Sequence, residues 1–416
     1  MNFLFILIGL SLLVSLHHSM AENWSNWLGP NYNGSSENNS ISLPPEGKEF
    51  EIKWKISVGS GWSAPIIHQN SVYYHDRIGE AEIIHCLNFA TGAEIWRHSY
   101  LSEYQDSFGM GNGPRSTPSI RNGLIVTHGA EGKVCGLDVT TGKPIWVRDL
   151  IKDFQSSKGF FGRCSSPLIV GDRVIFDVGG NTVGLVAFSL KSGKTLWSSK
   201  PYGNDYSSSL PFFVNGKSFS LSFMREGFLV MDINTGREEF FTQFRSPINA
   251  SVNATSPLII GNRVFLSSCY DLGAGLWQYL EDNKKEKPQF KKLWHKKGIL
   301  DCHYSTPVAL GEYIYGFHGR QERSPVIRCI RLVDGEIMWE SPSMGAGNLI
   351  RVSDKILVLL ESGELVILKT SSKSCDILFR QQILGSESRA HFSFADGFLF
   401  ARDKRRLICL QLSKLE

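Results

Sequence analysis

The stretch GLDVTTGKPIW, residues 136–146, reads as strand, tight turn, strand. Gly142 supplies the positive φ that a tight hairpin needs, and the apolar residues before and after it alternate with polar ones. The same unit returns as CLNFATGAEIW (86–96), AFSLKSGKTLW (187–197), VMDINTGREEF (230–240) and CIRLVDGEIMW (329–339). Aligned on Gly92, Gly142, Gly193, Gly236 and Gly335, each copy places an aromatic residue four positions later. Self-similarity at this spacing marks a repeat architecture rather than a sum of independent elements.

A second element precedes each unit. It is Ser/Thr-x-Pro followed by an apolar strand, as in SAPII (63–67), STPSI (116–120), SSPLI (165–169), SLPFF (209–213), TSPLI (255–259) and STPVA (305–309). A polar turn and another strand follow, so each period holds four strands in meander order, which is one propeller blade. The aromatics Trp54, Trp96, Trp146, Trp197, Phe240, Trp294, Trp339 and Phe379 count eight blades. The fifth carries a charged hairpin insertion, EDNKKEKPQ (281–289), and the seventh, ILKTSSKSCDILF, lacks the glycine. The last unit stops at CLQLSKLE (409–416), where its final strand is due, while FEIKWKISV (50–58) is a surplus strand at the other end. Pairing these two closes the ring and removes two open sheet edges. The expected fold is all-β: one eight-bladed propeller of four-stranded antiparallel blades over 50–416, closed by its N- and C-terminal strands.

The unit Ala/Leu-x-Asp-x-x-Thr-Gly-Lys-x-x-Trp, best matched by LDVTTGKPIW (137–146), which fits it from the Asp onward, resembles the quinoprotein (PQQ-like) repeat, and the resemblance covers nearly the whole chain after residue 21. It implies that Trp54, Trp96, Trp146, Trp197, Phe240, Trp294 and Trp339 dock neighbouring blades. The segment 22–49 fits as well: Trp24, Trp27, Gly29, Pro30 and Gly34 match the lead-in with which exported propellers of this type begin. Its two indoles are expected to anchor that segment onto the finished propeller. The resemblance splits by function. It implies either a non-catalytic binding or scaffold protein of the BamB type, or a dehydrogenase of alcohols or sugars that holds pyrroloquinoline quinone and calcium in the central funnel. No adjacent cysteine pair of the kind on which the larger alcohol dehydrogenases stack the quinone occurs here. The expectation is therefore a binding propeller without cofactor or metal, with quinone and calcium as the alternative.

Residues 3–16, FLFILIGLSLLVSL, have the length of a signal-peptide core, and Ser19-Met20-Ala21 ends in the small residues a signal peptidase reads. Cleavage is expected after Ala21, with residues 1–21 removed, no cysteine for a lipoprotein anchor, and a periplasmic or secreted chain that does not span the membrane. Formal net charge is +4 over 416 residues, which gives no footing for nucleic acid. Of eight cysteines, Cys86, Cys135, Cys329 and Cys409 sit in apolar strands and read as small core residues rather than disulfide partners. SGKT (192–195) is not a P-loop, because Phe188 stands where the first glycine is required.

Loops joining one blade to the next open on one face. The residues just before each Ser/Thr-x-Pro there are Trp62, Arg115, Arg163, Tyr206, Asn253 and His303, and they are the ligand-site candidates. Two guanidiniums, an amide, an imidazole and two aromatics suit a small anionic or polar ligand; a protein partner and a monomeric chain are the companion expectations. No residue is assigned a catalytic role. Arg320, Arg323, Lys404, Arg405 and Arg406 add cations on turns, read as solvated surface or as a patch for an acidic partner.

Overall fold

A computed structural model describes residues 23–413 apart from 38, 157–158, 204 and 282–287. The proposed signal peptide and cleavage point lie outside the described residues. Eight sheets form, each with four strands in meander order, and the sheet over 347–382 has a fifth strand, Ser35–Ser36, along its first. The first blade runs Ile66–His68, Ser71–Ile78, Ala81–Asn88 and Glu94–Leu101. The next six span 119–149, 168–198, 210–243, 258–296, 308–340 and 347–382. The last combines Ser393–Ala395, Phe398–Arg402 and Arg406–Gln411 with Glu51–Ser57, whose Trp54 faces Cys409 and whose Ser57 faces Arg406. Ring closure by the chain ends is therefore as the truncated last unit required. First strands of neighbouring blades approach one another, so they line the axial channel.

The repeat signature has a local and a long-range cause. In the hairpin after Lys133–Asp138, the Asp138 carboxylate accepts from the amides of Thr140 (3.1 Å) and Thr141 (2.8 Å) and from the Thr141 hydroxyl. Asn88 and Asp232 cap their turns in the same way. This side-chain-to-backbone bonding is why Asx and Thr precede the glycine. Gly142, at φ +69°, lies under the indole of Trp96 from the preceding blade; an added Cβ would fall 2.4 Å from that ring. The Trp96 Nε1–H donates to the Val139 carbonyl at 3.1 Å. Trp54, Trp146, Trp197 and Trp294 repeat the bond to Phe89, Leu190, Ile233 and Leu332. Each indole thus caps the next blade's hairpin. Trp339 reaches the Ser371 carbonyl although the seventh hairpin has no such glycine, and Phe240 packs on Phe290 of the fifth blade.

Ser/Thr-x-Pro has its own role. The amides of Ala64, Thr117, Ser166 and Ser256 donate to Thr117 Oγ1, Ser166 Oγ, Ser208 Oγ and Thr306 Oγ1 of the following blade, at 2.9–3.2 Å. A belt of hydroxyls therefore ties the inner strands around the channel. At the closure seam, Asp76 accepts from the Gly59 amide (2.6 Å) and His85 Nε2 (3.1 Å), and buried Arg402 donates to the Gly59 carbonyl (2.7 Å). All eight cysteines are free thiols, and the four placed in apolar strands are buried.

Candidate functional site

The lead-in segment does more than lean on the propeller. It enters the axial channel. Trp24 bridges Ile67, the Ser25 carbonyl accepts from the Ile120 amide at 2.8 Å, and Ser35–Ser36 pair in parallel with Arg351 and Val352. The Tyr32 hydroxyl reaches the Ile169 carbonyl at 3.4 Å. Trp24 is buried, whereas Trp27 is half-buried, donates from Nε1 to Ser256 Oγ at 2.8 Å and meets the His391 ring edge-on at 5.1 Å.

Above Trp27, on the face of the blade-to-blade loops, lies a cavity of about 400 Å³. Its wall follows one rule: the residue three positions before the proline lines it, as Trp62, Arg115, Cys164, Ser208, Ala254 and Tyr304. Loops inside and between the blades add Tyr270, Arg320, Glu322, Arg389 and His391. A second cavity of about 660 Å³ opens outward from it past Phe161, Val252, Tyr270 and Arg320. Its rim carries the exposed side chains of Phe108, Phe160 and Ile248.

Cations and rings are interleaved here. The guanidiniums of Arg115 and Arg389 each lie 5.1 Å from the Trp62 ring centroid, and that of Arg320 lies 4.8 Å from Tyr270. Such contacts hold a planar cation in a fixed pose. Each guanidinium also has a carboxylate: Asp106 with Arg115 (3.2 Å), Glu361 with Arg389 (3.1 Å), and Glu322 with Arg320. Glu361 further accepts the Tyr304 hydroxyl at 2.7 Å. His303 Nε2 meets the Tyr270 hydroxyl at 2.8 Å. Burial pulls the His303 pKa down to about 4, with Glu322 opposing and Arg320 assisting, so the ring is neutral at pH 7. His391 is held down to about 4 by burial as well. Burial raises the Cys164 thiol to about 12, which leaves it protonated and poorly nucleophilic.

Of the six residues read from sequence, Trp62, Arg115, Tyr206 and His303 line the cavity. Tyr206 is anchored by the amides of Phe160 and Phe161, at 2.9 and 3.2 Å. Arg163 and Asn253 lie elsewhere. Arg163 is 2% exposed and donates to the Val178 carbonyl and Ser156 Oγ behind the wall. Asn253 is buried and donates to the Met224 carbonyl at 2.9 Å. Both stand four residues before their proline, and Cys164 and Ala254, one residue on, take the lining place. Counting back a constant three residues from each proline picks out the wall. Arg320, a turn cation by sequence, lines the cavity, and Arg389 lies before the eighth blade, which lacks Ser/Thr-x-Pro.

Pyrroloquinoline quinone with calcium does not suit this lining. Calcium takes six to eight oxygens, with carboxylates prominent among them. The carboxylate that lines the cavity is Glu322, and Arg320 engages it. Among the described residues no group of three or more His, Cys, Asp or Glu side chains is arranged to hold a metal ion.

Comparison with known proteins agrees with the repeat. Quinoprotein alcohol dehydrogenase PedH of Pseudomonas putida is 28% identical over 146 residues, covering 34% of this chain and 23% of that enzyme. The match thus spans about a quarter of that curated relative. Among solved structures, BamB from Moraxella catarrhalis superposes with a TM-score of 0.63 at 15% identity, over 89% of this chain and 99% of that one. Quinohemoprotein alcohol dehydrogenase from Comamonas testosteroni gives 0.65 at 11% identity, over 95% and 81%. At these identities the likeness is one of fold. The family model described as outer membrane protein assembly factor BamB matches residues 46–211 and 80–341, and the chain belongs to that family of PQQ-like repeat propellers.

Proposed function

We propose that this chain is an exported, non-catalytic binding or scaffold propeller of the cell envelope, monomeric, which takes a small anionic or polar ligand or a segment of a protein partner at the loop-face cavity. The observation that carries this reading is the chemistry of the cavity wall. Its guanidiniums are posed on rings, its carboxylate is committed to Arg320, its imidazole His303 to Tyr270, and its thiol is held protonated. Such groups suit recognition, and the second imidazole of the wall, His391, whose Nε2 has no partner among the described residues, stands edge-on to Trp27. The family model's description as an assembly factor favours a protein partner, and the apolar rim of Phe108, Phe160 and Ile248 offers that partner a surface. The likeness to PedH favours the second reading, a quinone-dependent dehydrogenase, which the cavity's donor set supports poorly.

Two measurements test the proposal. Mass analysis of the mature protein should find Glu22 at the N-terminus; a retained residue 1 in the membrane fraction refutes export. Titration with 8-anilinonaphthalene-1-sulfonate, an aromatic anion, should show one site per chain. Arg115→Ala should weaken it about tenfold, the loss expected for one charge-assisted hydrogen bond. Equal affinity in wild type and variant contradicts a ligand at this wall.

A further inference from the structure

We propose that residues 24–36 are the built-in floor of the cavity, so that the site exists only while this segment is seated in the channel, and a ligand in the cavity tightens the seat. The inference rests on the reading of the cavity as a binding site.

Trp27 carries the coupling, because it belongs to both structures. It lines the cavity and is bonded to Ser256 on the inner wall of the fifth blade. The segment is folded on itself: Gly29 N–H donates to the Asn26 carbonyl, Tyr32 N–H to Gly29 and Gly34 N–H to Leu28, at 2.9–3.1 Å. Trp24 packs flat on Gly29, where a Cβ would come within 2.8 Å of the indole. It is therefore a compact coil that docks as a unit.

Its docking bonds reach inner strands of separate blades. Ile67, Ile120 and Arg351 donate backbone amides to the Trp24, Ser25 and Gly34 carbonyls, at 3.0, 2.8 and 2.8 Å. Arg351 also bonds Glu37 at 2.7 Å. Beyond the segment, residues 45–49 are exposed before the closing strand begins. The seat thus rests on the buried Trp24 and Leu28 side chains and on a few bonds to each of several blades, and a segment held from outside every blade opens more readily than a strand inside one. Filling the cavity adds contacts to Trp27 that exist only in the seated state. By linkage, ligand and seat must then stabilise one another equally.

The test uses the whole chain, 8-anilinonaphthalene-1-sulfonate as probe, and amide hydrogen exchange. Saturating probe should slow exchange at Ile120 and Arg351 about tenfold while leaving Lys55 and Ile408 of the closing pair unchanged. Trp27→Ala should weaken probe binding at least about tenfold, a coupling of ordinary size, and abolish the slowing. Trp27→Phe, which keeps a ring on the floor but loses the Ser256 bond, should bind with an intermediate constant. Unchanged exchange at Ile120 and Arg351 with probe bound, or wild-type affinity in Trp27→Ala, overturns the inference and leaves the binding site standing. Failure of the wild-type chain to bind the probe overturns the binding reading, and the inference with it.

Discussion

Gly142→Ala tests how the blades are held together. Gly142 has φ +69°, and a Cβ there would meet the Trp96 ring at 2.4 Å. Two costs follow. Holding alanine in the left-handed region costs about 1–2 kcal/mol, and forcing a methyl into a packed contact costs about 1–3 kcal/mol more. Gly123 separates the two. Its φ is +77°, but no atom lies within 4 Å of the added Cβ. Gly123→Ala should therefore lose only the first amount, about 1–2 kcal/mol, and Gly142→Ala about 2–5 kcal/mol. Urea unfolding followed by tryptophan fluorescence reads the difference from the shift in midpoint at constant slope. Adding Trp96→Phe removes part of the obstruction, so the double variant should be more stable than the sum of the single losses implies. Equal losses at the two glycines, or strict additivity with Trp96→Phe, would refute the claim that the repeat glycine exists to seat the neighbouring indole.

Two other outcomes are expected. Asp177 is buried, with Oδ1 unbonded, and burial raises its pKa to about 7 against the pull of Arg163 and with a push from Glu226. A carboxyl whose folded pKa is raised favours the folded state at low pH and loses that advantage as pH climbs from the ordinary carboxylate range through about 7. Asp177→Asn should therefore gain stability relative to wild type between pH 5 and pH 8; a difference independent of pH contradicts this. Arg163→Ala should cost about 1–3 kcal/mol, because it leaves the buried Val178 carbonyl and Ser156 hydroxyl without their donor, yet leave probe affinity unchanged. Weakened binding without loss of stability would return Arg163 to the ligand site.

The fold was legible because its code is local and repeated. Asx, Thr and Gly in fixed register make a turn whatever surrounds them, and the truncated last unit announced the closing strand. Which indole covers which glycine was not legible, since that contact joins hairpins roughly fifty residues apart, as Trp96 and Gly142 show. The site was half legible. Position before Ser/Thr-x-Pro marks the face but not which side chain there reaches the cavity: Arg163 is buried while Cys164 lines it, whereas His303 and Tyr304 both line it. Arg389 and Tyr270 escaped because they sit in loops with no repeat signature. Trp27 escaped as a wall residue because nothing in a turn-rich segment says that it enters a channel.

The proposal that the cavity binds rather than catalyses is tested most directly by dye-coupled oxidation. Purified chain is incubated with pyrroloquinoline quinone and calcium, cleared of free quinone, and assayed with primary alcohols and aldose sugars. The account predicts no turnover, because the carboxylate on the cavity wall is tied to Arg320 and, among the described residues, no group of three or more His, Cys, Asp or Glu side chains is arranged to hold a metal ion. Stoichiometric bound quinone with sustained oxidation of either substrate class would contradict it and make the chain a quinone-dependent dehydrogenase.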